Sequence, residues 1–552
     1  MYSDSQLIEM AGQQPAPFLW LLDQFHRRDD QFTPDAMRAI ASGLRMPLAD
    51  VYGTATFYHH LTLGNGSRSE PRVCTGPVCR LRGSEQWLAD GTDAHPMACA
   101  GRCDIPVPVL QGDSTHRLTG SSLEPSDKGP LPVPNPGGLP ECIFEHIRQP
   151  AQATYEGYTA RDGFQALDMA LDTGPDPLLQ TLDDSGLAGR GGAGFPTGRK
   201  WRSVLEAPGW PKTIVCNADE GEPGCFKDRA ILEYDPYAVL EGMILAAFAT
   251  GAELGFIYLR YEYPELQVQL EGALTACRTA GLLGPTNKLG SDFDIHIRRG
   301  AGAYVCGEEG SLLNSLEGKH PFPRNRPPFP VTHGYLQKPT VVNNVETLAA
   351  VPHILRHGAE WYRDLGRGDL AGTKVISVSG DVQRPGNYEV PFGFPLSELL
   401  YEWAGGPPSE SNFQAASMAG LSGGFLSASD FDITLDEPSL RSRNSMLGAA
   451  GIIVYDDTRD MVDETRVAIE FFAEESCGKC FPCRIGSRRL RERLDAVGPD
   501  TDRGEWLDEV NDLGLVMRNL SACGLGVAAS FVSDSLVRNF PDQLEQRFEA
   551  PE

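Results

Sequence analysis

The sequence predicts a multidomain α/β protein: N-terminal helices, a small cysteine-bearing α/β module, a large glycine-rich α/β domain, a small β-rich domain and a helical C-terminal domain. Three observations carry this reading. At 552 residues the chain is several domains long. Its apolar spacing switches between helical and strand periods along its length. Eight of its 13 cysteines fall into two well-separated sets of four.

Residues 1–65 form an N-terminal helical segment. Leu7, Met10, Phe18, Leu21, Leu22 and Phe25 recur at helical spacing, and Thr33-Pro34-Asp35-Ala36 supplies an N-cap with proline at the first helical position, for two or three small helices. Residues 66–120 form a compact module in which Arg72-Val73-Cys74 and Val107-Pro108-Val109-Leu110 read as short strands with cysteines at the turns. Residues 121–158 read as a linker, because the Pro, Gly and Ser of Ser121 to Pro140 sustain neither helix nor central strand. Residues 159–360 form the largest domain, with strands such as Thr213-Ile214-Val215-Cys216 and Asp294-Ile295-His296-Ile297 among helices. Its longest apolar run, Ala238 to Leu259, is broken by Glu241 and Glu253 and reads as a buried helix rather than a membrane span. A β-rich domain, 361–457, opens with Thr373 to Gly380, and 458–552 is helical.

Composition excludes some functions. With 48 Lys+Arg against 75 Asp+Glu the net charge is −27, so nucleic acid and anionic membrane are not expected partners. The apolar stretch Pro17 to Leu22 is cut by Asp23 and is too short for a signal peptide. A cytoplasmic, reducing location is the resulting expectation, and there clustered cysteines mean metal more often than disulfide.

Cys477-x₂-Cys480-x₂-Cys483, with Cys523 as a fourth thiolate from a later helix, suits a [4Fe–4S] cluster: one loop wraps three irons and a distant segment closes the site. Zinc or plain buried thiols are the bland alternatives. Cys74-x₄-Cys79 and Cys99-x₃-Cys103 are two pairs, which hold two sulfide-bridged irons or one zinc. Cys142, Cys216, Cys225, Cys277 and Cys306 read as small buried hydrophobes.

Gly189-Arg190-Gly191-Gly192-Ala193-Gly194 satisfies G-x-G-x-x-G formally, yet no strand precedes it and Phe195-Pro196 interrupts the helix that should come directly after, so the Rossmann context is missing. Its backbone can still cradle phosphate, with Arg190 and Lys200 supplying charge. Asn217 to Gly224 and Gly300 to Glu309 are acidic, glycine-flanked turns at strand ends. Such segments offer the phosphate cradle, ring-edge hydrogen bonds and open face that a flavin needs.

Together, Gly186 to Trp201, Cys216 to Asp228, Gly302 to Glu309, Asn343-Asn344-Val345-Glu346-Thr347 and the terminal cysteines resemble the flavin-bearing NADH-oxidising subunit of complex I over about residues 160–545. Val51 to Tyr58 and the four N-terminal cysteines resemble the thioredoxin-like [2Fe–2S] subunit of the same complex, fused in front. Such fusion is typical of diaphorase subunits of soluble NAD-dependent formate dehydrogenases and NAD-reducing hydrogenases; Cys99-Ala100-Gly101-Arg102-Cys103-Asp104 resembles the formate dehydrogenase β subunit more closely.

The resemblance implies a thioredoxin-like fold for the first cysteine module, a ubiquitin-like fold for the β-rich domain, and FMN, NAD(H), a [4Fe–4S] and a [2Fe–2S] cluster as cofactors. It implies that Gly189, Arg190, Gly191, Gly192 and Lys200 hold the FMN phosphate side, and that Asn217, Asp219, Glu220, Gly307, Glu308, Asn343, Asn344 and Thr347 line the flavin. Phe195, Glu222, Tyr304, Glu309, Arg326 and Phe329 would form the nicotinamide nucleotide pocket, with Glu309 repelling a 2′-phosphate and so favouring NAD over NADP. Cys477, Cys480, Cys483 and Cys523 would hold one cluster, and Cys74, Cys79, Cys99 and Cys103 the other. Hydride would pass between NAD and flavin and single electrons to the clusters, with no side chain as catalytic acid or base. The second substrate would be handled by a molybdenum, tungsten or nickel–iron subunit of a hetero-oligomer. Ala188 stands where the family usually has Arg, Arg326 where it often has Lys, and the interval from Cys79 to Cys99 is shortened. A non-catalytic iron–sulfur relay subunit is the alternative of another class.

Overall fold

The computed structural model describes residues 2–549 apart from 62, 64, 65, 90–92, 121 and 127. Its large domain is built on a four-stranded parallel sheet with the spatial order Asp294–Arg299, Leu254–Leu259, Thr213–Ala218, Thr340–Asn344. Parallel sheets are covered on both faces, which explains the near-continuous apolar strands Ile214-Val215-Cys216 and Phe256 to Leu259. In sequence order these strands run third, second, first, fourth, so the winding reverses between Thr213–Ala218 and Thr340–Asn344. Open α/β sheets bind ligands at the carboxyl ends of strands at such a reversal. The register sets Cys216 beside Asn343 and Asn217 beside Asn344 at that edge.

The apolar run Ala238 to Leu259 is a helix and a strand rather than one helix. Gly251, in the left-handed region at φ 72°, ends the helix Pro236–Thr250, and the strand Leu254–Leu259 begins just beyond. Glu241 does not break the helix, because its buried carboxylate accepts from Tyr158 Oη at 2.6 Å, Phe164 N at 2.9 Å and Leu167 N at 3.1 Å.

Four N-terminal helices, Asp4–Ala11, Pro17–Asp29, Pro34–Leu44 and Leu48–Ala55, exceed the two or three expected. Thr33 caps the third by accepting from Ala36 N at 3.1 Å. Phe18, Leu22 and Phe25 pack with Val215, Phe256 and Val342, so these helices cover the central sheet. The first cysteine module has a five-stranded sheet ordered His95–Met97, Arg72–Cys74, Pro108–Gln111, Ser114–Thr119, Ser122–Pro125.

That last strand lies inside the stretch read as a linker, whose first residue, Ser121, is outside the described residues. The second half of the stretch is also no spacer. Cys142, Ile143, Phe144 and Ile147 belong to the main core, and Glu389 accepts the backbone N–H groups of Cys142, Ile143 and Phe144 at 2.8, 2.9 and 2.6 Å. The short apolar run Cys142-Ile143-Phe144 is buried by partners hundreds of residues away, which local composition does not reveal.

The β-rich domain is a five-stranded sheet ordered Gly386–Pro391, Thr373–Gly380, Gly451–Asp456, Phe413–Met418, Phe425–Ser427. Helices Met461–Glu474, Phe481–Asp495, Arg503–Leu520 and Gly524–Asn539 share a core including Leu490, Met517 and Val532. Among the described residues no helix is long and apolar enough to cross a membrane.

Candidate functional site

A cavity of about 980 Å³ opens at the carboxyl edge of the parallel sheet, where the winding reverses. Its volume lies at the upper end of the range for small-molecule and cofactor pockets. The glycine loop forms one wall through Gly189, Gly191 and Ala193, and the strand ends form the base through Asn217, Asn343 and Asn344. Gly307, Glu308 and Glu309 form the opposite wall, with Lys200, Phe195, Arg326 and Phe329 around it.

The glycine loop follows the helix Pro175–Ser185 and runs into the helix Thr197–Glu206, with no strand before it, as its sequence context requires. Leu187 O and Phe195 O accept from Thr197 N and Gly189 N, each at 2.9 Å, closing the loop on itself. Gly192 at φ 117° and Gly194 at φ 62° occupy backbone regions that favour glycine. A Cβ added at Gly191 would stand 2.9 Å from Asn344 Cβ. This bare backbone against Asn344 is a cradle that a side chain would fill.

The amides at the base are oriented by their neighbours. Trp201 Nε1 donates to Asn343 Oδ1 at 2.8 Å, Asn217 Nδ2 donates to Gly307 O at 2.8 Å, and Asn344 Nδ2 donates to Asp228 Oδ2 at 2.5 Å. Lys200 Nζ donates to Val342 O at 2.9 Å and lies 3.9 Å from Glu309; burial pushes its ammonium below the usual lysine range. Arg326 pairs with Glu308 and, at 2.9 Å, with Glu309. Phe195 and Phe329 leave 44% and 51% of their surface exposed at the rim, available to stack on a flat ring. Asp219 follows the central strand; its Oδ2 is buried without a hydrogen-bond partner. An orphaned carboxylate oxygen beside the Asn217–Gly307 contact, with the bare glycine loop, fits a hydroxyl- and phosphate-bearing ligand.

Seven residues expected at the flavin or nucleotide do not line this cavity: Arg190, Gly192, Asp219, Glu220, Glu222, Tyr304 and Thr347. The Arg190 side chain turns into the core, donating to Tyr362 Oη at 2.7 Å and Thr373 O at 3.2 Å and stacking on Phe392, so it brings no charge to phosphate. Its backbone N–H donates to buried Thr347 Oγ1 at 2.8 Å, so Thr347 secures the loop from behind. Glu220 accepts from Asp228 N at 2.8 Å and Tyr263 Oη at 3.1 Å within the domain. Glu222 accepts from Tyr304 Oη and from Leu421 N at 2.8 Å, bracing two loops. A sequence motif names these residues as a block; only contacts separate lining from bracing.

Conversely, Arg324, Asn325, Ala522, Cys523 and Gly524 line the cavity, although no motif places them in a nucleotide pocket. Lys479 Nζ donates to Asn325 Oδ1 at 2.8 Å, tying the C-terminal cysteine loop to the rim. The adjacency of Asn325 to Arg326 is the only local signal.

The C-terminal cysteines gather at helix starts. Cys480 and Cys523 are the N-cap residues of Phe481–Asp495 and Gly524–Asn539, where the helix dipole favours thiolate. Ala522 N donates to Cys480 Sγ at 3.5 Å, and Ser476 Oγ lies 3.2 Å from Cys483 Sγ. Burial pushes the Cys483 thiol up to about 12 and that of Cys523 up to about 11, so both are neutral thiols until a metal takes the proton's place. In the N-terminal set all four cysteines are buried, with Cys99 Sγ and Cys103 Sγ 3.6 Å apart and Cys74 Sγ accepting from Ala100 N at 3.4 Å. Hydrogen bonds within the set, then burial, hold Cys74 and Cys103 well above the ordinary thiol range. Soft donors crowded in a dry interior fit iron–sulfur ligation. Among the described residues no three His, Cys, Asp or Glu side chains close on a single metal ion. Cys142, Cys216, Cys225, Cys277 and Cys306 are buried.

Fold and cavity define a flavin- and iron–sulfur-dependent NAD(H) oxidoreductase subunit, and comparison with known proteins agrees. Residues 182–353 match the Nuo51 FMN-binding domain, 463–547 the NADH-ubiquinone oxidoreductase-F iron-sulfur binding region, 5–96 the thioredoxin-like [2Fe-2S] ferredoxin and 375–424 the SLBB domain. The alpha subunit of the NAD-reducing hydrogenase HoxS of Cupriavidus necator is 35% identical over 545 residues, 92% of this chain and 88% of its own. An NADH-quinone oxidoreductase subunit of Rhizobium meliloti is 45% identical over 392 residues, 70% of this chain and 93% of its own. A crystal structure of a NAD+-reducing [NiFe]-hydrogenase in the H2-reduced state superposes with a TM-score of 0.81 at 33% identity, covering 96% of this chain and 93% of that one. The chain belongs to the diaphorase family of these subunits, in its fused form with FMN, [4Fe–4S] and [2Fe–2S] domains.

Proposed function

We propose that this chain is the NAD(H)-handling subunit of a cytoplasmic hetero-oligomer whose second substrate is turned over on another chain. One observation carries the reading: a single cavity joins a bare glycine cradle, oriented strand-end amides, a rim of aromatic and ion-paired groups, and Cys523. When bound there, FMN exchanges a hydride with NAD(H) and single electrons with iron–sulfur clusters.

The residues divide this work. Gly189, Gly191, Gly192 and Lys200 hold the phosphate side, with Arg190 and Thr347 fixing the loop through the backbone. Asn217, Asp219, Gly307, Glu308, Asn343 and Asn344 orient the flavin, and Glu220 braces the strand end. Phe195 and Phe329 stack on the nicotinamide nucleotide, and Glu222 and Tyr304 hold the turn that presents Glu309. Held by Arg326, Glu309 selects against a 2′-phosphate. Cys477, Cys480, Cys483 and Cys523 hold the [4Fe–4S] cluster, and Cys74, Cys79, Cys99 and Cys103 the [2Fe–2S] cluster.

For the second substrate, hydrogen on a nickel–iron subunit is favoured by the likeness to a hydrogenase subunit across 92% of this chain. Formate on a molybdenum or tungsten subunit is the second reading, carried by the run Cys99 to Asp104. NAD⁺ reduction by the anaerobically purified assembly, with hydrogen and with formate in turn, separates the two. If neither reacts while NADH reduces ferricyanide, the diaphorase role stands with another partner. An assembly that releases no flavin on acid treatment overturns the proposal.

A further inference from the structure

The loop from Cys99 to Cys103 is clasped by cations of a different domain. Arg260, just past the strand Leu254–Leu259, donates from Nη2 to Cys99 O at 2.6 Å and from Nη1 to Glu220 O, the residue after Asp219. One buried guanidinium therefore spans the cysteine loop and the strand end beneath the cavity. Arg229 Nη1 and Tyr263 Oη both donate to Gly101 O, at 3.1 and 3.3 Å. Arg229 is matched by Asp104 at 2.5 Å and Glu233 at 3.5 Å. Arg260 is ion-paired with Glu262 at 3.0 Å, which also meets His60 Nε2 at 2.9 Å, and Asp219 and Glu475 line the same small cavity as this pair.

We propose that Arg260 is a positioning residue that sets the reduction potential of the N-terminal cluster from the flavin domain, its charge stabilising the reduced, more negative state. The cause is general: cluster potentials follow local net charge, hydrogen bonding and burial. At 4% exposure Arg260 is little screened by solvent. Glu262, 3.0 Å from Arg260, opposes it, so the two side chains tune in opposite directions.

The proposal rests on the assignment of Cys74, Cys79, Cys99 and Cys103 to a [2Fe–2S] cluster. Its test is a dithionite titration of the full chain in its native assembly, with the EPR signals of both clusters followed against potential. Arg260→Gln is expected to lower the N-terminal midpoint by about tenfold in the reduced-to-oxidised ratio, 59 mV for one electron. Arg260→Lys, which keeps the charge, should restore most of the shift, and Glu262→Gln should move the midpoint upward. Tyr263→Phe, which removes a neutral contact to the same loop, should leave it in place, as should every variant for the C-terminal cluster. An unchanged midpoint in Arg260→Gln, or a downward shift in Glu262→Gln, overturns the proposal. Should Arg260→Gln lose the cluster, the sign of the Glu262→Gln shift decides alone. Absence of a [2Fe–2S] signal in the unaltered chain overturns the ligand assignment, and this proposal with it.

Discussion

Cys74, Cys79, Cys99 and Cys103 lie at 1 to 3% exposure under arginines of a neighbouring domain, whereas Cys477, Cys480 and Cys523 stand half-buried, Cys523 on the wall of an open cavity. Around the open set the helix starts supply local electrostatics, and Phe481, Leu515 and Leu520 are exposed nearby. Around the closed set Arg229, Arg260 and Tyr263 come from 120 or more residues downstream in the chain. Three thiols of the open set come from one local run and the fourth from a later helix start on the cavity wall; the closed set is held by docking between domains. Breaking one should therefore act on electron exit and breaking the other on domain assembly.

The largest expected effect lies on the open side. Cys480→Ser should abolish the [4Fe–4S] EPR signal and cut electron delivery to the partner chain by at least about 100-fold, the upper end of what loss of an outer-shell partner alone costs a metal site, while the [2Fe–2S] signal survives. Loss of both signals would mean that the two sets are not independent.

On the closed side, Gly101→Ala is the sharpest lesion. Gly101 sits at φ +65°, and an added Cβ would fall within 2.2 Å of the buried Tyr263 Oη. Overpacking of this kind costs about 1–3 kcal/mol. Thermal melting with parallel iron analysis should show an earlier transition and loss of the N-terminal cluster first.

Glu220 tests the same dock by pH. Burial, with Asp228 adding to it, raises its carboxyl from 4.5 to about 7. A raised acid favours its protonated form in the fold, so its contribution is present below pH 4.5 and is lost as pH rises through about 7. Denaturation between pH 5 and 8 should lose about 2–3 kcal/mol from this group, and Glu220→Gln should flatten that slope.

Two smaller effects sharpen the open side. Glu309→Gln should improve NADPH use relative to NADH by about tenfold, a change of roughly 1.4 kcal/mol; an unchanged kcat/KM ratio removes Glu309 from specificity. Phe329→Ala should raise the KM for NADH several-fold through loss of about 1 kcal/mol of stacking, with kcat little changed.

The same contrast explains what is legible in the sequence. Cys477, Cys480 and Cys483 lie within seven consecutive residues, and Gly189 to Gly194 is continuous, so both can be read as patterns. The parallel sheet is legible from its apolar strands, but its order is not, and only that order brings Asn217 beside Asn344. Arg190 looks like a phosphate ligand because it sits among glycines; its buried contact with Tyr362 is invisible without the fold. Arg324, Arg260 and Glu389 carry no motif at all, since each acts on a partner remote in sequence or on a neighbouring turn.

The grip of Glu389 on Cys142, Ile143 and Phe144 also imposes an order of birth on the fused chain. The carboxylate emerges 247 residues after the first backbone donor it serves. At translation rates of 5–20 residues per second that is a wait of about 12–50 s. Throughout that interval the three backbone donors of Cys142 to Phe144 have been made but their acceptor has not, so this corner of the fold closes from the back forward.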